Sequence, residues 1–310
     1  MGSMKRKLSI IAIFLVLAAA ASGQQAGSQG WVDYAAGEYD IFPNITYSTA
    51  TNIDLKLDLY LPKERTKPVP VLMLFHGGGW VDGAKERNVF YLLPYLSMGW
   101  AVVNVEYRMA KNAPAPAAVE DCRCALRWVA YKTKDYNFDT GKIVTTGTSA
   151  GGHLALMTAM LPPSSVFDRQ CPTTEGRWNG PKEPEIKVAA VINYFGITDV
   201  AELIEGPNAK HYAMEWLGSR PDRLALAKQL SPLEYVRAGG PAVLTFHGDK
   251  DDIVPYTQAV RMHEALEKAG VTNRLMTFKD HGHGGFKRED FVTAMSAMRE
   301  FLKKVGILGQ

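Results

Sequence analysis

Apolar residues take every second position between 44 and 62: Ile45, Tyr47, then Leu55, Leu57, Leu59 and Leu61. A period of two places them on one face of an extended chain and predicts a half-buried antiparallel hairpin or meander. Further along, the alternation gives way to short, nearly continuous apolar runs. These lie at Val69–Phe75, Ala101–Tyr107, Lys142–Thr146, Val188–Phe195, Ala242–Phe246 and Arg274–Phe278. Runs of this kind, rich in β-branched residues, fit strands covered on both faces, as in a parallel sheet. Between them, apolar positions recur at helical spacing over about 117–133, 150–161, 255–269 and 288–305. Pro116 stands near the start of the first helix, where its missing N–H costs nothing. Pro162-Pro163 stop the second and Gly270 the third. Strands alternating with helices predict an α/β fold: a mostly parallel, doubly wound sheet with antiparallel N-terminal edge strands and helices on both faces.

The N-terminus departs from this pattern. Met1-Gly2-Ser3 ahead of a second Met4 reads as an expression scar. Lys5-Arg6-Lys7, the apolar run Leu8–Ala21 and the small residues after it have the build of a secretory signal peptide cleaved near Ala21-Ser22-Gly23. The run is short and soon followed by Gly, Gln and Ser, which argues against a transmembrane helix; an N-terminal anchor or a buried helix is the alternative. The expected organisation is therefore scar plus signal over 1–23 and a single domain over 24–310, exported to the periplasm or beyond the cell. The irregular stretch 162–185 is too long for an ordinary connection, and is a candidate lid or substrate loop. With 46% hydrophobic residues in 310, the chain has ample material for a large core, which excludes the disordered and low-complexity classes. The net charge of +3 changes the picture once it is located. Lys5, Arg6 and Lys7 are the only charged residues before Asp33, so the remaining chain is near neutral. A near-neutral surface offers no electrostatic footprint for nucleic acid or for stable membrane association once the signal is removed.

None of the three cysteines has metal-type spacing. Cys122 shares a helical face with Val119, Leu126 and Val129 and belongs to the core. Cys124 points away from that face and is free to meet Cys171 in an oxidising compartment; a pairing of Cys171 with Cys122 stays open.

The sharpest chemical signal is Gly147-Thr148-Ser149-Ala150-Gly151, set between a buried strand and a helix. A serine on so tight a strand-to-helix turn is held in strained backbone geometry that exposes its hydroxyl, and the flanking glycines let strand and helix approach. Such a hydroxyl needs a base to take its proton and donors for the oxyanion it creates. His76-Gly77-Gly78-Gly79-Trp80 follows the first long apolar run; Gly78 and Gly79, with the N–H of Ala150, are the expected oxyanion hole. No Lys-Ser/Thr follows the glycines, which disfavours a phosphate loop.

Among seven histidines, the base is expected after the last strand, in Asp280-His281-Gly282-His283-Gly284-Gly285-Phe286. His283 is the first choice and His281 the reserve, because open α/β sheets place their chemistry at strand C-termini. His211 and His263 are expected on the solvated surface, and His247 at a strand end. The orienting acid is expected in Gly248-Asp249-Lys250-Asp251-Asp252-Ile253-Val254-Pro255. Asp251 is preferred, with Asp249 and Asp252 as loop or helix-terminal carboxylates.

Together these segments resemble an α/β-hydrolase of the esterase/lipase group carrying the His-Gly-Gly-Gly-Trp motif. The likeness runs from about Tyr39 to Leu302 and includes Val81-Asp82-Gly83-Ala84-Lys85, Val105-Glu106-Tyr107-Arg108, Ala117-Ala118-Val119-Glu120-Asp121 and Gly196-Ile197-Thr198-Asp199. Within the group the chain is similar to the secreted bacterial feruloyl-esterase and acetyl-xylan-esterase-like branch. The hormone-sensitive-lipase-like branch differs in its N-terminal helical cap and its usual Gly-Asp-Ser. The resemblance implies a serine esterase with a Ser149-His283-Asp251 triad and no metal or organic cofactor. Its substrate would be a small-molecule or polysaccharide-linked ester, with Trp80, Tyr107 and Tyr194 as candidate acyl-pocket residues. A prolyl-oligopeptidase-like peptidase and a non-catalytic binding homologue are the alternatives.

Overall fold

A computed structural model describes residues 37–163, 165–172 and 186–309. The predicted signal peptide, residue 164 and the 173–185 part of the insertion's span lie outside the described residues. Eight strands form one sheet: β1 (Tyr39–Ala50), β2 (Ile53–Pro62), β3 (Val69–Phe75), β4 (Ala101–Val105), β5 (Phe138–Thr148), β6 (Ala190–Tyr194), β7 (Ala242–Gly248) and β8 (Asn273–Phe278). Their spatial order is β1-β2-β4-β3-β5-β6-β7-β8. The β1–β2 and β2–β4 pairs are antiparallel and all later pairs are parallel. The doubly wound sheet with an antiparallel leading edge is thus the observed fold.

Register explains why the central strands are continuously apolar. In β3, Val71, Met73 and Phe75 face one core while Leu72 and Leu74 face the other. On the first face pack helices α1 (Ala117–Tyr131), α2 (Ala150–Met160), α3 (His211–Leu217), α4 (Arg223–Gln229) and α5 (Tyr256–Lys268). On the second packs α6 (Arg288–Lys304), which buries Ala294, Ala297, Met298, Phe301 and Leu302 beside the one-turn helix Leu93–Leu96. Two apolar faces on each central strand leave little room for polar alternation. β8 departs from the expected two-sided cover. As the terminal strand of the sheet it buries only Phe278, and its other residues are partly or fully exposed.

Cys124 of α1 is disulfide-bonded to Cys171, and Cys122 is free and buried. Beside this bridge the wholly buried Asp168 receives Arg123 Nε at 2.6 Å and Arg127 Nη2 at 2.8 Å. The described part of the insertion, 165–172, is therefore anchored to α1 and supplies no wall of the cleft below. Among the described residues, no helix is long and apolar enough to cross a membrane.

Candidate active site

The C-terminal ends of the parallel strands carry the chemistry-bearing loops. Ser149 stands between β5 and α2 at φ 55°, ψ −121°, in the left-handed region that L-residues seldom adopt. Its N–H donates to the Tyr194 carbonyl at 2.9 Å, and its carbonyl accepts the His153 N–H at 3.0 Å, so the bend is pinned from both sides. The flanking glycines are required by close approach: a Cβ on Gly151 would lie 2.1 Å from the Phe75 carbonyl oxygen, and one on Gly147 would lie 2.4 Å from Gly151. Here α2 starts almost in contact with the end of β3.

The loop after β3 turns through Gly78 and Gly79 at φ 119° and 60°. Gly78 accepts Val81 and Asp82 N–H groups at its carbonyl, which turns its own N–H the other way. No main-chain carbonyl among the described residues takes the Gly78 or Gly79 N–H. The loop is anchored by Trp80, wholly buried and stacked on Trp216 at 4.1 Å. The Trp80 indole N–H donates to His153 Nδ1 at 3.2 Å, and His153 Nε2 lies 2.7 Å from the Leu230 carbonyl. Burial pushes the His153 imidazole down to about 4, so it stays neutral, with its proton on Nε2.

The loops after β7 and β8 are stitched together by Lys250 N–H to His281 carbonyl (2.9 Å) and Asp280 N–H to Asp249 Oδ1 (2.6 Å). Asp251 follows β7 with a fully buried side chain. Its Oδ1 accepts the N–H groups of Ile253 and Val254, each at 2.9 Å. Its Oδ2 lies 2.7 Å from His283 Nδ1 and 3.1 Å from His247 Nε2. Burial alone would raise this carboxyl. Hydrogen bonds from His247 and His283 outweigh that and hold it well below the usual carboxylate range. An anion at Oδ2 therefore faces His283 Nδ1–H and leaves Nε2 of His283 free to accept a proton. Phe195 packs edge-on against the His283 ring at 4.7 Å.

Ser149, His283, Gly78 and Gly79 line one cleft of about 570 Å³, walled by Phe195, Tyr212, Ile253, Arg87, Asn88 and Thr148. Ala150 opens α2 directly after the serine. The reserve base His281 lies elsewhere, with Nδ1 2.8 Å from the Lys279 carbonyl and Nε2 2.9 Å from Asp290 at the start of α6. Asp249 serves the loop stitch described above, and Asp252 is exposed.

The acyl-pocket expectation is corrected. Trp80 supports the glycine loop from within the core. Tyr107 is buried, donating its hydroxyl to the His76 carbonyl at 2.8 Å and stacking on that ring. Tyr194 packs against Phe246 under the sheet. None of the three lines the cleft; Phe195 and Tyr212 do. Each of the first three sits beside a motif in sequence, but their side chains point into the core. His263 is also corrected: it is buried against Asn273 at 2.8 Å, whereas His211 is exposed as expected. Sequence reasoning passed over His247 at the Asp251 carboxylate; its only signal was a strand-end position four residues before the acid. No group of three or more His, Cys, Asp or Glu side chains among the described residues is placed to hold a metal ion.

A parallel sheet with a serine on the turn after β5, an imidazole after β8 and a carboxylate after β7 defines an α/β-hydrolase-fold protein. The BD-FAE family model matches residues 57–266, and the chain belongs to that family. It is similar to the esterase LipQ of Mycobacterium tuberculosis, at 27% identity over 223 residues, covering 70% of this chain and 50% of that protein. The chain thus spans about half the length of the curated relatives it matches. Among solved structures, the propionate-bound esterase Est2 of the planctomycete Thermogutta terrifontis is 27% identical with a TM-score of 0.69, over 88% of this chain and 96% of that one. A truncated carbohydrate esterase from gut microbiota is 25% identical with a TM-score of 0.69, over 86% and 97% of the two chains.

Proposed function

We propose that this protein is a serine carboxylic-ester hydrolase working through an acyl-enzyme, with Ser149, His283 and Asp251 as its triad. The observation that carries the reading is the shared cleft: Ser149, on its strained turn, lines the same hollow as His283, whose Nδ1 is bonded to a buried, ionised Asp251. His283 Nε2 takes the Ser149 hydroxyl proton as Oγ attacks the ester carbonyl carbon. The N–H groups of Gly78, Gly79 and Ala150 hold the oxyanion, each contributing roughly 3–4 kcal/mol at the transition state. Collapse of the tetrahedral intermediate breaks the carbon–oxygen bond to the alcohol, which leaves with the proton from His283. Water then attacks the acyl-serine, with His283 again as base, and the acid is released.

Short-chain or aryl esters are the proposed substrates, such as acetyl or feruloyl esters of plant polysaccharide, met by a secreted or periplasmic enzyme. A cleft of about 570 Å³ with aromatic walls at Phe195 and Tyr212 and polar groups at Arg87 and Asn88 suits a small acyl or aryl group on a polar alcohol. The propionate held by the Thermogutta esterase and the carbohydrate esterase among its neighbours support that reading. Purified protein should hydrolyse acetyl and feruloyl esters faster than octanoyl esters, and Ser149→Ala should lose several orders of magnitude in turnover. Substantial turnover by the serine variant would refute the nucleophile, and a preference for octanoyl esters would refute the substrate class.

A further inference from the structure

Behind His283 stands a second imidazole that the hydrolytic sequence leaves unused. His247, at the end of β7, is fully buried. Its Nε2 lies 3.1 Å from Asp251 Oδ2, the oxygen that also receives His283 Nδ1, and 3.1 Å from the Val254 carbonyl oxygen. Both neighbours are acceptors, so Nε2 carries the proton. His247 Nδ1 is buried without a hydrogen-bond partner, and a second proton there would be an orphaned donor. His247 Nε2–H is therefore a fixed donor aimed at the acid.

We propose that His247 is a positioning residue for ester hydrolysis, which pins Asp251 Oδ2 and limits how strongly that oxygen pulls on His283. This rests on the triad assigned above. Oδ1 is already fixed by two main-chain N–H groups, so His247 immobilises the remaining oxygen and the carboxylate cannot swing away from the base. Oδ2 is shared between two donors, so losing His247 would concentrate its pull on His283 Nδ1–H. The other groups facing the pair are engaged elsewhere. Tyr256 of α5 lies edge-on to the His247 ring at 5.7 Å and bonds Thr277 Oγ1 at 2.5 Å. Tyr212 of α3 donates to the Ile253 carbonyl at 3.1 Å, and burial beside Asp251 keeps its phenol protonated. Lys210 reaches the Asp252 carbonyl, and Asp249 accepts the Asp280 N–H.

The test compares His247→Gln, whose amide nitrogen can take the place of Nε2, with His247→Phe, which keeps a ring and loses the donor. Hydrolysis of p-nitrophenyl acetate is followed across pH. The phenylalanine variant should lose about tenfold in kcat/KM, with its acid limb raised by about half a pH unit or more. The glutamine variant should keep both near wild type. An unmoved acid limb in His247→Phe, or equal damage in the two variants, overturns the proposal. Imidazole ¹⁵N NMR of the wild-type protein gives a second reading that needs no variant to fold. A His247 ring protonated at Nε2 and bare at Nδ1 at neutral pH is expected; an Nδ1–H form overturns the proposal. If the wild-type protein hydrolyses no ester, the functional assignment itself fails, whereas the NMR result reports the His247 geometry independently.

Discussion

Replacing Asp251 by asparagine keeps the outline of the side chain and changes what it offers its neighbours. Oδ1 accepts two main-chain N–H groups, so the asparagine carbonyl must stay there and its amide nitrogen must take the Oδ2 place. That nitrogen then faces His283 Nδ1, 2.7 Å from the present oxygen. Two donors cannot share the gap, so the His283 proton moves to Nε2, the atom proposed to accept the proton of Ser149. The base is disarmed by its tautomer. The lost charge adds to this: a carboxylate and an imidazolium about 4 Å apart attract by about 4 kcal/mol at an effective dielectric near 20. That alone corresponds to about 10³ in rate, and with the wrong tautomer the expected loss in kcat is about 10³- to 10⁴-fold. The assay is steady-state hydrolysis of p-nitrophenyl acetate, with a circular dichroism melt to show that the variant is folded. A folded Asp251→Asn enzyme keeping more than about a tenth of wild-type kcat would refute the reasoning.

Gly79→Ala would place a side chain at φ 60° with its Cβ 3.0 Å from that of Tyr212, displacing a proposed oxyanion donor. Its kcat should fall about 100-fold with KM little changed, as steady-state kinetics would show. Breaking the Cys124–Cys171 bridge, which joins residues 47 apart, by Cys171→Ser should lower unfolding stability by about 4 kcal/mol on the loop-closure estimate. Urea midpoints measure that loss, and turnover at 25 °C should be retained because the bridge is remote from the cleft. His153 has a depressed pKa of about 4, so its stabilising contribution is fully present above the unfolded value near 6.5 and is lost as pH falls toward 4. That shift corresponds to about 3 kcal/mol, and urea denaturation at pH 7 and pH 4 should show His153→Gln losing less than wild type.

Much of this is legible in the sequence, for physical reasons. Strands covered on both faces have to be largely apolar, so β3, β4 and β7 show in the sequence as nearly continuous runs. The Ser149 turn is visible because main-chain crowding at Phe75 demands glycine at 147 and 151. His283 and Asp251 are legible because the fold places chemistry at strand ends. What depends on packing across the molecule was not legible. Trp80, Tyr107 and Tyr194 adjoin the motifs in sequence, yet whether an aromatic ring faces a cleft or a core is settled by distant partners such as Trp216 and Phe246. His247 looks like any strand-end histidine until the loop after it folds back and brings Asp251 to its Nε2. Helices α3 and α4 span only seven residues each, too short for a reliable helical period.

The central claim is that the Ser149 hydroxyl is the nucleophile, made reactive by His283. A fluorophosphonate, which reacts far faster with an activated serine hydroxyl than with other side chains, tests this directly when the labelled protein is digested and its peptides are weighed. One adduct per chain on the peptide holding Ser149 is predicted, formed far more slowly in His283→Ala and absent in Ser149→Ala. An unlabelled wild-type protein, or an adduct on another residue, would contradict the account.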